Sequence, residues 1–313
     1  MARINEIRLY GMVVQPPTIY KDKNTDEYIK GLCSLVVIGG YRSTGTKPEK
    51  YNYPRILTRD PKQVAEMAKW KENDIVEIKG ALTTKNMTKT KVCASCGEKI
   101  KQPGTVVYVH PIFSEVRTTN SNRDASIEVL KRNAEISNSA MLMGVLCREP
   151  EAYVNSKNKS RLTTYQLAVK RKYRIKEDPA EIDVDFPWVK AYGEQGQKDI
   201  KTLKKGSVVL VDGKLQVRER EVTTACPHCG AENKWKDYSM EVVPYSVEYM
   251  RNYKSPDEIA QLEQQEHEKI VATVFDSEKD LNLPASRPED YVEEKDDSKA
   301  EDIEDIVNKI FQA

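Results

Sequence analysis

Only three histidines, His110, His228 and His267, occur in this chain of 313 residues, and tryptophan is as rare. Imidazole is the commonest general acid or base. No Walker phosphate loop, zincin motif or Ser, His and Asp set compensates for the shortage. The chain is therefore read as a non-enzyme. Long apolar runs are also missing: none approaches the roughly 18 residues of a membrane-spanning helix, and the first residues do not pattern as a signal peptide. A cytoplasmic location without membrane contact is expected. Cysteine is scarce at six residues. Four of them form two Cys-x-x-Cys pairs, a usage that suits metal ligation better than a disulfide framework. Cys33 and Cys147 stand alone in apolar, strand-like runs and are expected in the core.

Net charge is small, +1, but unevenly placed. Residues 276–305 hold 13 acids against 4 bases, a net of −9, and only Lys309 is charged beyond them, which leaves +9 for residues 1–275. A basic body points to a polyanionic partner and the acidic tail to a separate task. The length suits two core-bearing domains and a remainder.

A shift of 133 positions brings one part of the chain into register with the next. Gly11 meets Gly144, Tyr20 meets Tyr153, Pro54 meets Pro187, Gly80 meets Gly213, Cys93 meets Cys226 and Pro111 meets Pro244. The chain is one domain written twice. Each copy alternates β-branched and aromatic residues between Gly, Pro, Asn and charged turns, which predicts five strands. In the first they are Ile7 to Val14, Gly31 to Ile38, Arg55 to Thr58, Ile75 to Thr84 and Thr105 to Val116. In the second they are Met141 to Leu146, Arg161 to Val169, Trp188 to Tyr192, Val208 to Arg220 and Tyr238 to Val247. A helix beginning at Asp60 and Pro61 separates the third strand from the fourth, with a capping acid and a proline at the first helical position. Five strands with that helix are the plan of an OB barrel.

The predicted organisation is an OB domain over residues 1–118, a linker over 119–137 with a short helical candidate from Ser126 to Glu135, and a second OB domain over 138–250. A helix over 251–275 begins at the capping sequence Ser255-Pro-Asp-Glu. An acidic tail over 276–313 is expected to be disordered. At its end Ile303, Ile306, Val307, Ile310 and Phe311 fall on one helical face.

In the second copy, Met141-Leu-Met-Gly-Val-Leu-Cys-Arg-Glu-Pro, Thr164-Tyr-Gln-Leu-Ala-Val, Phe186-Pro-Trp-Val-Lys-Ala-Tyr-Gly and Leu203-Lys-Lys-Gly-Ser-Val-Val-Leu-Val-Asp-Gly-Lys-Leu-Gln-Val-Arg resemble the bacterial single-stranded DNA-binding proteins. The likeness covers roughly Ser139 to Arg220 and reaches the first copy through the repeat. It implies OB folds that coat single-stranded DNA in replication, recombination or repair, assemblies of four barrels, here a homodimer, and a stacking aromatic at the position of Tyr192. It also implies recruitment of replication or recombination proteins by the acidic tail, although the family's terminal motif is not matched. Two barrels in one chain and a cysteine motif between strands four and five depart from the family pattern.

Cys93-Ala-Ser-Cys96-Gly97 and Cys226-Pro-His-Cys229-Gly230 have the form of zinc knuckles, in which glycine permits the tight turn. Each supplies two ligands where zinc takes four, and each starts 13 residues after a matched glycine. One zinc ion per chain, held by Cys93, Cys96, Cys226 and Cys229 and clipping two hairpins together, is expected. Redox dithiols, pairing with a second chain's knuckle, and sites completed by His110 or His228 are the alternatives.

Strand alternation turns Val189 and Ala191 inward and leaves Trp188, Lys190 and Tyr192 on one outer face. Two aromatics flanking a lysine form a platform for base stacking; the alternative is that Trp188 packs beneath a loop. The matching strand of the first copy presents Arg55, Leu57 and Arg59, a face better suited to phosphate. Tyr41 and Arg42, the run Lys170, Arg171, Lys172, Tyr173 and Arg174, and the outward Arg218 and Arg220 extend the candidate surface. Non-sequence-specific binding of single-stranded DNA is the function expected. A scaffold free of nucleic acid and a single-stranded RNA binder are the rivals.

Overall fold

The computed structural model describes residues 3–39, 51–154, 161–175 and 183–279, without the side chains of 220, 266, 267 and 270–279. The first copy comprises β1 (Asn5–Val13), β2 (Thr18–Lys21), β3 (Tyr28–Ile38), β4 (Tyr51–Asn52), β5 (Arg55–Thr58), α1 (Pro61–Met67), β6 (Ile75–Val92) and β7 (Lys99–Thr118). A connector of α2 (Arg123–Arg132) and α3 (Ala134–Ser137) follows. The second copy comprises β8 (Asn138–Leu146), β9 (Glu151–Val154), β10 (Arg161–Lys170), β11 (Val184–Asp185), β12 (Trp188–Tyr192), α4 (Gly193–Thr202), β13 (Val208–Ala225) and β14 (Glu232–Arg251), and α5 (Pro256–Lys279) follows in the chain.

Both copies close in the same cycle. β1 pairs with β3 and β6, β3 with β5, β6 with β7, and a single parallel contact, Ile56 opposite Val109, joins β5 to β7. In the second copy β8 pairs with β10 and β13, β10 with β12, β13 with β14, and Val189 opposite Val242 joins β12 to β14. The two closures are 133 residues apart at both positions. These are OB barrels, as expected. Their cores follow strand alternation: Ile7, Leu9, Leu35, Ile56, Ile78 and Leu82 fill one, and Leu142, Tyr165, Leu167, Val189, Val211 and Leu215 the other.

The helix between the third and fourth strands of the first barrel forms as its sequence predicts. Asp60 accepts a hydrogen bond from the Lys62 N–H at 2.9 Å, and Pro61 opens α1, where a missing N–H costs nothing. At the other end of the chain, the Ser255 hydroxyl accepts from the Glu258 N–H and the Glu258 carboxylate from the Ser255 N–H, a reciprocal capping box that starts α5. The helix runs past residue 275 to Lys279. The acidic stretch from 280 and its apolar tip lie outside the described residues.

The connector is part of the first barrel's packing. Leu130 and Ala134 pack with Met12, Val36, Ile38 and Ile75. The Ser137 hydroxyl accepts from the Ile38 N–H and donates to the Tyr10 carbonyl.

The barrels join edge to edge through β1 and β8. Ile7 lies opposite Ala140, its own repeat equivalent, while Asn5 opposite Leu142 and Leu9 opposite Asn138 interchange under the same shift. A pseudo-twofold axis therefore passes through the Ile7 and Ala140 pair, the self-complementary geometry of a symmetric dimer within one chain. Each barrel carries the same buried clasp. The Asn5 side-chain amide bonds both the N–H and the carbonyl of Leu82, and Asn138 does so to Leu215.

The hairpins after the barrels differ from expectation. Strands four and five continue well past Thr84 and begin well before Thr105 in the first copy, and likewise around Arg220 and Tyr238 in the second. The extra length forms two arms that leave the barrels. Along them exposed positions alternate with half-buried ones that are mostly polar, such as Lys89, Gln102, Asp237 and Ser239, so they lack the one-sided apolar pattern by which a strand is read.

Candidate nucleic-acid interface and metal centre

The arms carry the cysteine motifs at their tips. In each, the first cysteine's N–H bonds a carbonyl across the turn, and the glycine at the fifth position takes a positive φ, 76° at Gly97 and 71° at Gly230, open to glycine without strain. The pseudo-twofold brings the tips together. The sulfurs of Cys93, Cys96, Cys226 and Cys229 all lie within 4.8 Å of one another, with Cys93 to Cys229 and Cys96 to Cys226 both at 3.7 Å. A disulfide would hold sulfurs about 2.05 Å apart. This is the one group of metal-ligating side chains among the described residues; buried His110 and exposed His228 stand outside it. A four-thiol set could hold one metal ion.

Cys93 and Cys226 are buried, Cys96 and Cys229 exposed, and Ile100 and Trp235 pack beside the buried pair. The set is not symmetric. The Asn233 amide donates to the Cys93 sulfur at 3.4 Å while accepting the Ala94 N–H, whereas Ile100 occupies the equivalent place on the other arm. The Cys93 thiol is drawn down to about 6, chiefly by the Cys96 backbone N–H, with Asn233 adding to it. The Glu98 N–H favours the Cys96 thiolate, but burial and the three neighbouring sulfurs outweigh it and push that thiol up to about 12. Four thiolates gather stably only around a cation.

Of the two lone cysteines, Cys33 is buried, and burial pushes its thiol up to about 12. Cys147 is only half-buried, at the turn that ends β8, so the core assignment does not hold for it.

On β12, Val189 and Ala191 are buried and Trp188, Lys190 and Tyr192 face outward, as alternation requires. The Arg148 guanidinium, from the loop after β8, sits 4.8 Å from the Trp188 ring centre. The Arg218 guanidinium lies 5.3 Å from the Tyr192 ring and donates to its hydroxyl. Both rings thus carry a cation in place, a geometry attractive for an electron-rich face. Phe186, 46% exposed, extends the same side of the chain two residues before Trp188, and its repeat equivalent Tyr53 is 45% exposed. Both escaped the sequence reading, although the 133-residue register pairs them.

Arg55 is half-buried and Arg59 exposed beside the first barrel's third strand. Lys170, Lys172, Tyr173 and Arg174 are exposed around the end of β10. Arg171 is not a surface residue: its side chain is 2% exposed and pairs at 2.9 Å with Asp185, 1% exposed. Asp185 also accepts the Thr84 N–H of the other barrel at 2.9 Å. On the opposite side of the pseudo-twofold, neutral Asn52 accepts the Val217 N–H, and Ile38 holds the place of Arg171. Arg171 neutralises a buried acid that the first barrel lacks. Lys190 is likewise committed, to Glu241 at 2.6 Å. Tyr41, Arg42 and the Arg220 side chain lie outside the described residues.

Two linked OB barrels, with cation-paired aromatics on an outer strand of the second, make this a tandem OB-fold protein. Residues 137–226, most of the second barrel, match the model of the Single-strand binding protein family. Among solved structures, the chain is similar to the wild-type single-stranded DNA binding protein from Thermus aquaticus, at 16% identity and a TM-score of 0.49, covering 82% of this chain and 97% of that one. A deletion mutant of the same protein is 18% identical, with a TM-score of 0.49, 82% of this chain and 99% of that one covered. A search of curated proteins returned no match.

Proposed function

We propose that this protein binds single-stranded DNA without sequence preference and shields it during replication, recombination or repair. The observation that carries this reading is the coincidence of the family match over residues 137–226 with the strand that turns Trp188 and Tyr192 outward. Bases stack on Phe186, Trp188 and Tyr192, each stack contributing about 1–3 kcal/mol, while Arg148 and Arg218 add cation–π contact. Arg59, Lys170, Lys172 and Arg174 neutralise phosphates, which makes affinity fall with salt. The mode in this reading is sequestration of an unpaired strand.

Zinc is the ion we assign to the four cysteines. A Zn–S distance of about 2.3 Å in a tetrahedron sets sulfurs roughly 3.8 Å apart, close to the two 3.7 Å separations. When bound, zinc supplies a structural cross-link. Cys93 and Cys96 hold it from one arm, Cys226 and Cys229 from the other, and the arms then move as a unit. The acidic tail is read as a docking segment for partner proteins, and two chains together would present four barrels.

Titration of labelled oligo(dT) and of a duplex of equal length across a salt series tests the function. Preference for the single strand with a negative salt slope supports it. Equal binding of oligo(U) would widen the ligand to RNA, and no binding of any strand would leave a protein scaffold.

A further inference from the structure

The two barrels differ on their third strands. Position 188 of the second barrel is a tryptophan, paired with Arg148 of its own barrel. The equivalent position of the first barrel is Arg55, which no ring from its own barrel faces among the described contacts. Instead the Arg55 guanidinium sits 5.2 Å from the ring centre of Tyr238, which belongs to the second barrel's arm on β14. The same pair of partners, a ring and a guanidinium, is thus assembled on both barrels, once within a copy and once across the two.

Tyr238 is built into this place. Its hydroxyl donates to Glu219 on the neighbouring strand at 3.0 Å. The Lys89 ammonium reaches Asp237 at 2.5 Å and holds the first barrel's arm against the second at the adjacent residue. Between the arms a narrow groove is lined by Arg55 and Tyr238, by the apolar Val107, Val217 and Met240, and by the polar Lys89, Thr105 and Ser239. Despite its guanidinium neighbour, Tyr238 remains 44% exposed. Its equivalent on the other arm is Thr105, so the arrangement occurs on one side of the pseudo-twofold only.

We infer that Tyr238 provides the first barrel with a stacking ring that its own sequence lacks, and that with Arg55 it forms a nucleobase site where a single strand passes from one barrel to the other. This rests on the single-strand reading above. An exposed ring flanked by a guanidinium and apolar walls fits a base with its adjoining phosphate, and the groove is too narrow to enclose a base, which therefore stacks at its mouth. Because Thr105 cannot reproduce the site, only one of the two symmetry-related passages carries it.

The test uses the full chain, an oligo(dT) of about 30 nucleotides, long enough for both barrels, and the same oligo carrying 5-iododeoxyuridine for photocrosslinking. Tyr238→Ala is expected to lower affinity about tenfold at every salt concentration with an unchanged salt slope, because stacking carries no counterion release. Tyr238→Phe keeps the ring and should bind as the parent does. Arg55→Ala should lower the slope by about one. The parent's crosslinks should include the peptide containing Tyr238. Parent-like affinity of Tyr238→Ala, or crosslinks that never reach that peptide, would overturn the shared site while leaving the single-strand function standing. Failure of the parent to bind the oligo would overturn both.

Discussion

A buried Asn5 side chain does the work of a strand partner for Leu82, and Asn138 does the same for Leu215. Replacing Asn5 by Ala strands a backbone N–H and a carbonyl in the interior, at a cost of about 1–3 kcal/mol for each group left unpaired. Denaturant unfolding should show that loss, and Asn138→Ala should show a somewhat smaller one, because the Asn5 amide also donates to the buried Asp185 carboxylate at 3.3 Å. The Arg171 and Asp185 pair makes a sharper case. Arg171→Ile alone leaves a buried carboxylate without its main counter-charge and is expected to cost about 3–5 kcal/mol. Adding Asp185→Asn recreates the Ile38 and Asn52 combination that the first barrel already uses, and should recover most of it. An additive double variant would contradict this account of Arg171. Read from sequence, Arg171 sat inside a run of cations and was indistinguishable from its exposed neighbours. Only the acid 14 residues later, delivered by the fold, sets it apart.

The arms are the elements whose behaviour depends most on a few atoms. Each is a two-stranded ribbon of mostly polar residues, and an isolated ribbon of this kind is marginal in water. Contact at the tips, where Ile100 and Trp235 pack beside the buried thiols, steadies them. Cys93→Ser or treatment with a strong chelator should free zinc in a one-to-one ratio with the chain and speed proteolytic cleavage within Lys85–Thr105 and Glu219–Tyr238, while the melting of the barrels shifts little. A metal content of two ions per chain, or none, would contradict the shared centre. The knuckles were legible because their cysteine spacing and glycine are local features. The length of the arms was not, because a polar ribbon alternates without an apolar side and reads like a loop. On the third strand the inward pair Val189 and Ala191 was legible for the opposite reason. The cation over each ring, Arg148 from the loop after β8 and Arg218 from β13, comes from far away in sequence and could not be read.

At the scale of the molecule, the repeat made the equivalent positions visible but left open how the copies meet. The ladder between β1 and β8 answers that: with Ile7 facing its own equivalent, one chain encloses what a symmetric dimer forms from two. Fusion in one chain also frees the halves to diverge. Aromatics collect on one third strand and arginines on the other, an Asp and Arg pair replaces an Asn and Ile, and a tyrosine from one arm serves the face of its neighbour. The most direct test of the central claim is the affinity for oligo(dT) and for duplex DNA of the parent and of Trp188→Ala with Tyr192→Ala, measured at several salt concentrations. The account predicts preference for the single strand, and a loss of at least about tenfold in the double variant with the salt slope retained. Equal affinity for duplex and single strand, or a double variant that binds as the parent does, would contradict it.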